Sequence, residues 1–201
     1  MRILIAEDEP IIALGLAQRL RRLGHQPVGP ARDGVEAVEV ARVDTPDLYL
    51  FDIDMPGLDG LAAAAALAAE GRRRPVVILT GVDDPQLVDR SVASGAAAYL
   101  TKPIDDRQLD AAIRVAAARH EDLLALEAEV ERARRLLTDR KLVERAKGLL
   151  MDALSLSEAD AHARLQRAAR SRNVSLGAIA QDIIDQRDVL HGAGGSGPTE
   201  P

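Results

Sequence analysis

The chain has 201 residues, a net charge of −6, no cysteine, 47% hydrophobic residues and only 1% aromatics. That length suits one large domain or two small ones, and the missing cysteine excludes a disulfide framework and any cysteine-based zinc site. The opening MRILIAEDEP is too short in apolar residues for a secretory core, and no stretch approaches the ~18 apolar residues of a membrane span, so a cytoplasmic chain with no membrane partner is expected.

With so few aromatics, Ala, Leu and Val must do the packing, which favours helices that lie close together. Apolar runs alternate with helix-period stretches as far as residue ~118. Strands are predicted over 2–7, 26–30, 48–52, 76–80 and 97–101, and helices over 10–23, 34–43, 59–70, 84–94 and from 105 onward. Gly24, Gly71 and Gly95 fall just after three of these helices, where a left-handed residue closes the helix. Strands that alternate with helices of this length imply βαβ units and a parallel sheet, and five of them match a doubly wound, flavodoxin-like α/β domain.

The fifth helix has no stop signal: neither Pro nor Gly occurs between Asp105 and Leu137. Leu123, Leu126, Val130, Ala133 and Leu137 recur at alternating steps of three and four. That spacing is a coiled-coil seam about two heptads long, and Glu, Asp and Arg fill the flanking positions. A surface helix lying on its own domain is the plainer reading of the same residues. From Thr138 the apolar register changes to Leu142, Ala146, Leu149 and Ala153. Ser157 and Asp160 then form a capping-box-like start, and Leu165, Ala168 and Ala169 continue that helix. The sequence NVS ends it, and Leu176, Ile179, Ala180 and Ile183 begin a third. The resulting division is 1–118 for the α/β domain, 119–137 for a helical linker and 138–190 for a small three-helix unit. A Gly/Ser/Pro-rich tail, 191–201, is expected to be disordered.

The polar residues fall in a pattern on this sheet. Glu7 and Asp8 follow the first strand, Asp52 ends the third, Thr80 the fourth, and Lys102 the fifth. All lie at the carboxyl ends of strands, where ligands of an open α/β sheet bind. Clustered carboxylates repel one another and invite a hard divalent cation such as Mg²⁺, which takes oxygen ligands. Beside that cation, Asp52 can act as a nucleophile towards a phosphoryl group, with Lys102 and the Thr80 hydroxyl neutralising its other oxygens. Pro56 and Gly57 keep the following loop non-helical, so its backbone stays free to face the site. Singly, an Asp at a strand end is usually a turn or cap and a Lys-Pro pair usually a loop. Five matching residues at four strand ends are a far less common coincidence.

The stretches AED (Glu7, Asp8), PDLYLFDIDMPGLDG (Asp52), LTG (Thr80) and YLTKP (Tyr99, Lys102, Pro103) together resemble the receiver domain of two-component response regulators. The resemblance implies Asp52 as the phosphoacceptor and a sensor histidine kinase as partner. It implies Mg²⁺ held by Asp8, Asp52 and the backbone carbonyl of Asp54, with Glu7 acting through water. It also implies Tyr99 as a switch aromatic coupled to Thr80, transmitting the change through the face of the fourth helix, fifth strand and fifth helix. An acid at Asp54 departs mildly from the usual pattern. FDIDMP also resembles the DxD box of haloacid-dehalogenase-like phosphatases, but that box lies on a first strand and here it lies on the third.

Residues 140–184, from RKLVERAKGLLM through LSEADAHARL to AIAQDII, resemble the ANTAR domain, a three-helix RNA-binding antiterminator module. Lys147 reads as exposed on the first helix and able to reach a phosphate. Arg164, Arg167, Arg170 and Arg172 lie in residues 161–181, which hold no acid, and can track a phosphate backbone. The plainer reading is a solvated helix face. The lack of aromatics argues against base platforms for single strands and fits a folded hairpin read by shape, phosphates and loop bases. A DNA-binding helix-turn-helix is the alternative, disfavoured by Asp182, Asp185 and Asp188 on the third helix. The expected whole is a non-enzymatic regulator with at most slow self-dephosphorylation, which dimerises through the linker and binds RNA hairpins to cause transcription antitermination.

Overall fold

The computed structural model describes residues 1–81 and 96–192, with side chains described as far as residue 187. The predicted helix over 84–94, Gly95 and tail residues 193–201 lie outside the described residues. Five parallel strands, β1 Arg2–Ala6, β2 Gln26–Ala31, β3 Leu48–Asp52, β4 Val76–Thr80 and β5 Ala98–Thr101, form one sheet in the order β2-β1-β3-β4-β5. The order reverses between β1 and β3, which is the switch point of a doubly wound sheet.

The strand residues alternate between two apolar cores. Leu4, Tyr49, Phe51 and Ile78 face one, with Ala37 and Ala41 from α2 (Gly34–Asp44) and Ala63 and Leu67 from α3 (Gly60–Ala69). Ile3, Ile5, Leu48, Leu50, Val77 and Leu79 face the other. That side is covered by Leu16 and Leu20 of α1 (Pro10–Arg22) and Leu109 and Ile113 of α4 (Asp106–Leu154). A strand buried on both faces reads as a continuous apolar run, which is why these segments lack alternation. Tyr49 is 2% exposed. Its ring stacks on Phe51 at a centroid distance of 5.2 Å, and its hydroxyl donates to the Arg72 carbonyl at 3.0 Å.

Local signals set the helix ends. Asp33 accepts from the Glu36 amide at 2.8 Å and starts α2, and Asp59 accepts from the Ala62 amide at 2.7 Å and starts α3. Gly24 and Gly71, just past α1 and α3, take the left-handed conformation at φ +81° and +76°.

The chain divides into two compact units, Met1–Ala125 and a second beginning at Leu126. The sequence-based linker and the first helix of the three-helix unit are one helix, α4. The register change at Thr138 moves the apolar face without breaking the backbone. In the second unit, Val143 and Ala146 of α4 pack on Leu165 and Ala169 of α5 (Glu158–Arg172) and on Ile179 and Ala180 of α6 (Leu176–Gly192). Ser157 caps α5 by accepting from the Asp160 amide at 3.2 Å, and Asn173 ends it at φ 52°. On α4, Leu123, Leu126, Val130 and Leu137 are exposed.

Candidate functional site

The sheet brings the predicted acids and the lysine together. Parallel pairing sets Ala6 beside Phe51 and Asp52 beside Leu79. Glu7 is therefore presented one residue beyond β1, and its amide donates to Ala31 O at 3.0 Å. Lys102 follows β5, held by a 2.7 Å hydrogen bond from its amide to Thr80 O. The Lys102 Nζ reaches Glu7 Oε2 at 2.8 Å and Asp52 Oδ2 at 3.1 Å. The side chains of Glu7, Asp52 and Lys102 are 0%, 5% and 17% exposed.

One ammonium thus serves two buried carboxylates. Burial pushes both carboxyls above their ordinary values; the neighbouring charges of Asp54 and Asp8 push Asp52 the same way, and Lys102 opposes. For Lys102 burial works against the charge, but its hydrogen bonds to Glu7 and Asp52 win and hold the ammonium above the usual lysine range. The other oxygen of Asp52, Oδ1, is sealed from water and has no hydrogen-bond partner among the described residues. An orphaned carboxylate oxygen of this kind marks a missing ligand or a strain reservoir.

Asp8 completes the geometry. One carboxylate oxygen from each of Glu7, Asp8 and Asp52 lies within 4.8 Å of the other two. Asp8 is exposed while the other two are buried, so the cluster opens on one side. Three hard oxygen donors with one free buried lone pair fit a small divalent cation that keeps part of its water. The Asp54 side chain is exposed, Thr80 is fully buried, and Tyr99 is half-buried against the core containing Tyr49 and Phe51. Ile78 pairs with Tyr99 and Thr80 with Thr101 across β4 and β5.

Two glycines allow the loop after Asp52 to lie where it does. A Cβ on Gly60 would run into the backbone oxygen of Asp52, and one on Gly34 into that of Leu58. The Gly34 amide donates to Leu58 O at 3.1 Å. Arg19 of α1 is a contributor that sequence reasoning missed. Its guanidinium donates to Ile104 O and pairs with Asp106, tying α1 to the segment after Lys102. The two positions are 85 residues apart, and no local pattern announces such a contact.

In the second unit Arg164, Arg167, Arg170 and Arg172 are all exposed. Among the described residues the first three hold no ion pair, whereas Arg172 Nη1 pairs with Asp182 Oδ2 at 2.8 Å. Lys147 requires a correction. It is 8% exposed, not a free surface cation, because it faces the start of α5 and pairs there with Glu158 at 2.7 Å and with Glu144 at 2.9 Å. No helix among the described residues is long and apolar enough to cross a membrane.

Comparison with known proteins agrees with this division. The family profile of the response regulator receiver domain matches residues 3–114, and that of the ANTAR domain matches residues 131–184. The transcriptional regulatory protein PdtaR of Mycobacterium tuberculosis is 44% identical over 184 residues, covering 92% of this chain and 89% of that protein. The receiver domain of the putative response regulator NarL from Mycobacterium tuberculosis superposes with a TM-score of 0.56 at 30% identity, over 58% of this chain and 95% of that one. A receiver domain protein from Clostridium thermocellum gives a TM-score of 0.56 at 27% identity, over 61% and 98%. The chain belongs to the response regulators, with a receiver domain followed by an ANTAR domain.

Proposed function

We propose that the chain is a cytoplasmic, phosphorylation-controlled RNA-binding regulator. A sensor histidine kinase donates a phosphoryl group to Asp52, and the protein is a phosphoacceptor, with at most slow loss of the group by its own action. The observation that carries this reading is the buried Asp52 carboxylate beside Glu7 and Asp8, with one oxygen 3.1 Å from Lys102 Nζ and the other without a hydrogen-bond partner among the described residues. Asp8, Asp52 and the backbone carbonyl of Asp54 would hold Mg²⁺, with Glu7 acting through water. When bound, Mg²⁺ neutralises charge on the phosphoryl oxygens.

The chain's own residues do the rest. A carboxylate oxygen of Asp52 attacks phosphorus as the bond from phosphorus to the kinase histidine nitrogen breaks, and the imidazole leaves with that electron pair. Lys102 stays beside Oδ2 and offsets the charge that the new ester brings. Thr80 donates its hydroxyl to a phosphoryl oxygen, and Tyr99 follows Thr80. That change favours pairing of two copies along Leu123, Leu126, Val130, Ala133 and Leu137. The paired ANTAR domains then bind RNA hairpins in nascent transcripts through the exposed arginines of α5, and a terminator does not form.

The test is direct. With acetyl phosphate and Mg²⁺, wild-type protein takes up one alkali-labile phosphoryl group, and Asp52→Ala takes up none. An adduct that persists in Asp52→Ala removes the assignment. Asp54→Asn keeps the adduct, whereas a DxD phosphatase would lose turnover on that change.

A further inference from the structure

Lys147 lies on α4 inside the second unit, and its surroundings are unusual for a cation in a nucleic-acid-binding module. Its side chain is 10% exposed, while its partners Glu144 and Glu158 are 58% and 70% exposed. The acids therefore reach inward from solvent-facing positions to cover the ammonium. The hydrogen bond that Lys147 donates to Glu158, then that to Glu144, raises the lysine above its usual range, and Lys147 in turn lowers Glu158. Two of the three ammonium donors are thus engaged, and a phosphate would have to compete with both carboxylates for a side chain that is 10% exposed.

Glu158 is the first residue of α5, directly after the cap Ser157. The pair therefore pins the start of α5 to α4. Beyond it, α5 is held by small or aliphatic contacts at Ala161, Leu165 and Ala169 and, in its last turn, by the more exposed Arg172–Asp182 pair to α6. Apolar contacts of that kind are non-directional, whereas a hydrogen-bonded ion pair fixes one rotation of the helix. That rotation decides where the exposed Arg164, Arg167 and Arg170 stand.

We propose that Lys147 is a positioning residue for RNA binding: it acts through Glu158, fixing α5 so that its arginines form the contact face, and touches no phosphate itself. This rests on the RNA-binding reading above. The opposite view, direct phosphate contact, makes opposite predictions for Glu158.

The full chain, phosphorylated with acetyl phosphate and Mg²⁺, is titrated with the stem-loop RNA that the wild-type chain enriches from a pool of randomised loops. Binding is measured across a salt series, at a temperature where circular dichroism shows every variant folded. Lys147→Met and Glu158→Gln are each expected to weaken binding about five- to tenfold, and the double variant no further. The salt slope stays that of wild type, and Lys147→Arg recovers most of the affinity. Direct contact instead removes about 0.7–0.9 from the slope in Lys147→Met, and Glu158→Gln then tightens binding by deleting a nearby acid. Either of those results overturns the proposal. Should Lys147→Met fail to fold, the sign of the Glu158→Gln effect decides alone. If the wild-type chain enriches no RNA, the RNA-binding reading itself falls and this inference with it.

Discussion

At Asp52 the two carboxylate oxygens face different surroundings: Oδ2 meets Lys102, and Oδ1 meets no protein donor among the described residues. A bound cation would relieve that asymmetry, and Asp8 would be its solvent-facing ligand. Asp8→Ala is expected to weaken Mg²⁺ binding by at least about tenfold, read by titration of the receiver's thermal midpoint. Unchanged affinity would place the ion elsewhere. His25 offers a separate residue-scale test. Both ring nitrogens are shut from water and lack partners among the described residues. Burial, then the N-terminal ammonium, lowers its pKa from 6.5, with Asp110 opposing. The unfolded chain therefore takes the proton first. The stability tied to this ring is fully present above about pH 6.5 and falls as pH drops through the lower folded value. His25→Leu is expected to lose less stability than wild type between pH 7.5 and 5; equal losses would clear the ring of this role. Asp52 and Lys102 were legible in the sequence because each ends an apolar run, and a strand end fixes where a side chain lies. Lys147 was misread because its partner Glu158 belongs to another helix, and helical spacing alone says nothing about what covers a face.

Among the elements, the end of α3 was legible from Gly71, which closes it, whereas the caps Asp33 and Asp59 that start α2 and α3 emerge only in the structure. The identity of α4 as one helix was only half legible. The sequence has no stop signal before Thr138, yet the shift of apolar register there reads as a boundary. A helix needs no break to change the face it buries, so register alone does not locate an end. Two glycines separate the kinds of constraint an element can carry. Gly60, at the start of α3, has backbone of Asp52 where a Cβ would go. Gly60→Ala is expected to cost about 1–3 kcal/mol in chemical denaturation and to slow phosphorylation of Asp52. Gly148, inside α4, has nothing within 4 Å of a built Cβ. Gly148→Ala is expected to stabilise the second unit by about 0.5–1 kcal/mol. A loss of stability there would mean that the helix is distorted at this point.

For the whole molecule, the receiver fold and the helical output unit could both be read from period and punctuation, because β1, β3 and β4 are short apolar runs and α1 and α5 each carry an apolar face. What periodicity cannot supply is the second copy. Leu126, Val130 and Leu137 are 58%, 44% and 62% exposed on α4 and recur at the spacing of a coiled-coil seam. Val130→Glu is expected to leave phosphorylation of Asp52 intact and to keep the phosphorylated chain monomeric in sedimentation, where wild type shifts to a dimer. The same distribution for both proteins would dissociate this stripe from assembly. The chain also carries its own optical reporter. It has no tryptophan and two tyrosines. Tyr49 is buried with its hydroxyl engaged by the Arg72 carbonyl, so its emission is a constant background. A change in intrinsic fluorescence when a phosphodonor is added is therefore expected to report chiefly on the less buried Tyr99, and Tyr99→Phe, by removing it, would assign the signal in unlabelled protein.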